Sequence, residues 1–106
     1  MAVSDIALCS VVKAELFYGA MRSRSPQEAL SKLNAFFAPF RSLPFDDTCA
    51  TEYGRIRARL AHLGLLIGPN DMLIAAIAVV HGATLITHNV REFSRVQGLL
   101  YEDWEA

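Results

Sequence analysis

A chain of 106 residues with a formal charge of −1 and a pI of about 6.3 is expected to hold one small domain spanning 1–106. It has no global positive field of the kind a dedicated nucleic-acid binder displays. With 53% hydrophobic and 20% charged residues it is too apolar for disorder, yet its longest apolar run, 72–80, falls far short of the ~18 to 20 residues that cross a bilayer.

In chain order, the apolar, β-branched run 6–12 predicts a strand that ends near Ser10 and passes directly into a helix over 11–21. Ser25-Pro26-Gln27-Glu28 carries the residue types of a capping box with proline at the first helical position. Ala29, Leu30, Leu33, Phe36 and Phe37 then fall on one helical face before Pro39 stops the helix. The segment 41–45 predicts an edge strand, because Pro44 cannot donate to a central ladder. Asp46 or Asp47 caps a helix running to about Leu63, with Tyr53, Ile56, Leu60 and Leu63 as its inner stripe. Glu52, Arg55, Arg59 and His62 form a second stripe directed at solvent, and Gly64 stops the helix.

Gly68-Pro69 introduces a helix over 70–81, apolar all round its body and therefore buried on several sides, ending at Gly82. A short strand over 84–87, apolar on both faces, a helical turn over 89–93 and a last strand over 99–102 complete the chain. Strands alternating with helices, and strands without a polar face, predict an α/β fold with a largely parallel sheet. Cys9 and Cys49 stand far apart with no C-x-x-C or Cys/His cluster, which argues against a disulfide framework and a zinc site. The chain opens without a basic-then-apolar secretory signal, so the expected location is the cytoplasm.

In parallel α/β sheets ligands bind beyond the carboxyl ends of the strands. Three polar positions fall there: Glu15, Asp71, and Asn89 with Thr87 just before it and Glu92 one turn on. Glu15 shares a helical stripe with Val11, Val12, Tyr18 and Gly19; a carboxylate on so apolar a face requires a cation, hydrogen bonds or a raised pKa. A salt bridge to a neighbouring arginine explains it equally well. Asp71 in a first helical turn is also an ordinary helix-start residue, and Asn89 with Glu92 also fits a capping pair. His62, His81 and His88 lack metal-ligand spacing, and Arg55, Arg57 and Arg59 are explained by a solvated helix face as well as by a phosphate backbone. A phosphate-binding glycine loop and a nucleophilic triad are both missing, which places a nucleotide-binding module well behind.

Four blocks together carry a family resemblance. Val11-Val12-Lys13-Ala14-Glu15-Leu16-Phe17-Tyr18-Gly19 resembles the second block of PIN-domain ribonucleases, in particular VapC-type toxins of bacterial toxin–antitoxin pairs. The stretch Tyr53-Gly54-x-Ile56-Arg57-Ala58-x-Leu60 resembles the helix before the third block, and Ile67-Gly68-Pro69-Asn70-Asp71-x-x-Ile74-Ala75-Ala76 resembles that block itself. Thr84-Leu85-Ile86-Thr87-His88-Asn89-x-x-Glu92-Phe93, with Val96-x-Gly98-Leu99, resembles the fourth.

The resemblance implies a three-layer fold, Mg²⁺- or Mn²⁺-dependent cleavage of RNA, a cognate antitoxin over the active-site groove, and a homodimer or higher self-association. It makes Glu15 and Asp71 acidic metal-site residues, puts Asn89 where many relatives carry Asp and some Asn, and has Thr87 and Glu92 support that corner. The family's opening strand and helix, with its first catalytic Asp, have no counterpart ahead of Glu15; Asp5 precedes its strand, at the end opposite the metal rim, and is no substitute. In the family's sheet order, 3-2-1-4-5, that strand is the central one. The expectation is therefore an N-terminally incomplete PIN-like domain that binds little metal and shows little nuclease activity. The alternative is a non-catalytic remnant that binds an antitoxin or a second copy.

Overall fold

The computed structural model describes residues 7–103; Asp5 and the predicted strand start at Ile6 lie outside them. The chain divides into two compact units, Met1–Pro44 and Phe45–Ala106.

In the first unit β1 (Ala7–Cys9) runs straight into α1 (Ser10–Met21), followed by α2 (Pro26–Phe37) and β2 (Arg41–Leu43). Helical turns start at Ser10, one residue before the predicted start, with Cys9 as the last extended residue. The two helices form a crossover that returns β2 parallel to β1, pairing Ala7 with Arg41, Leu8 with Ser42 and Cys9 with Leu43. Phe17 of α1 meets Phe37 of α2 edge-on, with ring centroids 5.4 Å apart, and the Lys13 ammonium lies 5.1 Å from the Phe37 centroid.

Two predictions for α2 are corrected. Ser25 occupies the N-cap position but makes no side-chain capping bond. Pro26 starts the helix through its fixed φ, and Glu28 turns to Lys32 one helical turn on, 3.2 Å away, instead of closing a box. Phe36 leaves the inner face and is exposed, leaning on the rings of Phe37 and Phe40.

In the second unit α3 (Asp47–Leu63) and α4 (Pro69–His81) pack against each other, followed by β3 (Thr84–Ile86), α5 (Val90–Phe93) and β4 (Leu100–Glu102). Asp46 caps α3 by accepting from the Cys49 N–H at 3.0 Å. Both long helices end on a left-handed glycine, Gly64 at φ +69° and Gly82 at φ +62°, where a side chain would be strained. The core joins Ile56 and Leu60 of α3 to Met72, Ala75, Ala76 and Ala78 of α4, with Phe93 of α5 and Ile67, Val96 and Leu99 from the connections. The all-round apolar body of α4 is buried, as predicted.

Leu63 is the exception on the inner stripe of α3: it is exposed in the last residue before the Gly64 stop, where the chain turns away. Arg59 departs from the predicted solvent stripe, half-buried and donating to the Arg95 carbonyl at 3.1 Å.

β3 and β4 pair in parallel, Thr84 with Leu100, Leu85 with Tyr101 and Ile86 with Glu102, and Thr87 extends the ladder by donating to the Glu102 carbonyl at 3.0 Å. The expected burial of both faces fails here. Leu85 packs on the core, whereas Thr84, Ile86 and all three residues of β4 are exposed. A three-residue strand alternates its side chains between faces, and in β3 only Leu85 turns to the core. Both sheets are parallel with helical crossovers, so the α/β class holds. Among the described residues they remain two separate pairs, β1-β2 and β3-β4.

Candidate metal centre

Asp71 and Asn89 stand where helices begin, and Glu15 lies one turn further in. α1 starts directly at the carboxyl end of β1 and presents Glu15 in its second turn. The carboxylate is exposed, which corrects the expectation that it sits on a buried apolar face. α1 is apolar on all sides but fully buries only Ala20, so Glu15, Tyr18 and Gly19 all reach solvent and desolvation is not what constrains Glu15.

Asp71 is the third residue of α4, half-buried, beyond a Gly68-Pro69 start. A methyl group placed on Gly68 would lie 3.7 Å from Asp71 Oδ2, so the carboxylate folds back over the first turn, where the helix macrodipole favours negative charge. Its helix-start role and a ligand role are compatible.

Asn89 is the N-cap residue of α5, but its side chain makes no capping bond, so the predicted capping pair with Glu92 does not form. The reason lies one step back: Thr87 Oγ1 accepts from the Asn89 backbone N–H at 2.9 Å, and this turn sets the backbone while leaving the exposed amide to other uses. Glu92 lies half-buried in the first turn of α5. His88, between Thr87 and Asn89, has its Nδ1 3.4 Å from Asp103 Oδ1.

Asp71, Thr87, Asn89 and Glu92 therefore belong to the second unit and Glu15 to the first. Among the described residues no three His, Cys, Asp or Glu side chains form a metal-holding group. The predicted set contains only two carboxylates, with an amide as its third member. Its chemistry fits a hard divalent ion, since carboxylate and amide oxygens suit Mg²⁺ or Mn²⁺ and a soft metal would call for sulfur or imidazole.

The arginines of α3 are engaged elsewhere. Arg55 forms an ion pair with Glu52, whose carboxyl is held below its usual range by that hydrogen bond. Arg57 donates to the Tyr53 hydroxyl at 2.9 Å. Arg95, which no sequence motif marks, donates from one nitrogen to the carbonyls of Leu65 and Leu66, at 3.3 Å each, while Arg59 donates to the Arg95 carbonyl. These contacts span 29 to 36 residues, beyond what any local pattern reveals.

Comparison with known proteins places this chain in a class. A PIN-domain family model matches residues 1–99. The chain is 41% identical over 102 residues to the Ribonuclease VapC2 of Rickettsia felis, covering 96% of this chain and 76% of that protein. It is also 41% identical over 99 residues to the tRNA(fMet)-specific endonuclease VapC of Shigella flexneri, covering 93% and 75%. Among solved structures, VapBC2 from Rickettsia felis bound to a DNA fragment from its promoter superposes with a TM-score of 0.87 at 41% identity, covering 93% of this chain and 74% of that one. The chain belongs to the PIN-domain family, in its VapC branch. Among the described residues no helix is long and apolar enough to cross a membrane.

Proposed function

We propose that this chain is the catalytic module of a VapC-type toxin, a single PIN-like domain over 1–106 that cleaves RNA with Mg²⁺ or Mn²⁺ held by Glu15, Asp71 and Asn89. The observation that carries the reading is 41% identity, over nearly the whole chain, to a protein named a ribonuclease. A divalent ion, when bound, neutralises charge on the phosphoryl oxygens and makes a water acidic enough to attack. Glu15 and Asp71 supply the anionic oxygens that hold such an ion, and Asp71 is aimed by the first turn of α4. Asn89 supplies a neutral amide oxygen, with Thr87 fixing its backbone and Glu92 one turn behind it. Two carboxylates and an amide hold the ion more weakly than three or four carboxylates, because affinity follows the charge count of the ligands.

The relatives solved as toxin–antitoxin complexes support a cognate antitoxin as partner. Exposed Leu16, Tyr18 and Met21 on α1 supply apolar surface for that partner or for a second copy. An RNA substrate is met in the cytoplasm, which supports a cytoplasmic location for the protein. The test is cleavage of structured RNA with and without Mg²⁺ or Mn²⁺. Glu15→Gln and Asp71→Asn are each expected to lower the metal-dependent rate sharply, and full cleavage by both variants contradicts the reading.

A further inference from the structure

Asp71 and Asn89 open two different helices of the second unit, and a metal site built on them needs their separation fixed. The lead-in to α4, residues 65–68, has no regular structure of its own. On its inner side Ile67 is buried in the same cluster as Met72, Phe93 and Val96. On its outer side the Leu65 and Leu66 carbonyls both accept from Arg95 Nη1. Arg95 belongs to the turn that closes α5, its N–H donating to the Glu92 carbonyl at 3.1 Å, and Arg59 of α3 holds its carbonyl.

We infer that Arg95 is a positioning residue whose guanidinium ties the tail of α5 to the entry of α4 and so sets the spacing of Asp71 and Asn89. The inference rests on the proposed metal centre and adds to it a determinant that touches neither metal nor substrate. A guanidinium suits the task because its donors are fixed in one plane and stay charged at every working pH. A lysine reaches the same carbonyls only as a mobile point charge. Outer partners of this kind commonly change metal affinity 10- to 100-fold when removed.

The experiment is a Mn²⁺ titration of the ¹⁵N-labelled full chain, following paramagnetic broadening of the backbone amides of Asp71, Met72, Asn89 and Val90. In the parent protein both segments are expected to broaden with one midpoint. Arg95→Met keeps the apolar stem and removes the donors; its midpoint is expected to rise about tenfold, with the two segments no longer titrating together. Arg95→Lys and Arg59→Met are expected to fall between, and they carry the test if Arg95→Met does not fold. Amide-exchange protection of Ile56, Leu60, Ala75 and Ala76 is expected to stay unchanged, which separates positioning from loss of the fold. An unchanged midpoint in folded Arg95→Met overturns the inference and leaves the metal centre standing. A parent protein in which neither segment broadens site-specifically overturns both.

Discussion

At the scale of single residues, the types of the candidate ligands were legible and their surroundings were not. Asp71 shows why. Any sequence with Gly-Pro-Asn-Asp ahead of an apolar helix predicts an acid in the first turn, and the carboxylate does fold back toward Gly68. Glu15 was singled out on the supposition of burial, and it is exposed; its helix is apolar on every side, so periodicity could not say which side faces out. Asp46 permits a prediction independent of the metal. Its carboxyl is held below the ordinary value of 3.8, first by the backbone hydrogen bond from Cys49. A depressed folded pKa gives stability that is complete above the unfolded value and lost as pH falls through the folded one. Asp46→Ala is therefore expected to melt below the parent protein at pH 7, with the gap closing as pH drops below about 3.8, measured by thermal denaturation across pH. A gap that persists unchanged into acid contradicts the capping account.

At the scale of elements, the long helices are legible in position and burial, the short strands in position only. α3 and α4 carry start signals, glycine stops and strong apolar patterning, and their observed bounds lie within a residue of expectation. The strands are three residues each, too short for alternation to be counted, and their exposure depends on what covers them. The contact between α3 and α4 holds the second unit, and Leu60 is one of its most enclosed side chains at 1% exposure. Leu60→Ala is expected to cost about 2–5 kcal/mol of unfolding free energy, through lost burial and a cavity that the neighbouring alanines of α4 cannot fill. Denaturant unfolding measures it, and a loss below about 1 kcal/mol would show a site able to collapse. Arg95 belongs at this scale too. It joins two connections whose sequences show no sign of each other, so its role emerges only when the chain is folded.

At the scale of the whole molecule, the α/β class and parallel pairing follow from strands alternating with helices, while the division into two units does not. The order of blocks along the chain carried the family assignment, because four moderately specific motifs in one order are far more restrictive than any one. The central claim is that cleavage rests on a divalent ion with Asp71 and Asn89 of the second unit among its proposed ligands. The most direct measurement is an anomalous difference map from crystals of the full chain grown with Mn²⁺. The account predicts a peak beside the Asp71 carboxylate, with the Asn89 amide oxygen turned toward it. Ions scattered over other acidic side chains, with none at Asp71, would contradict it.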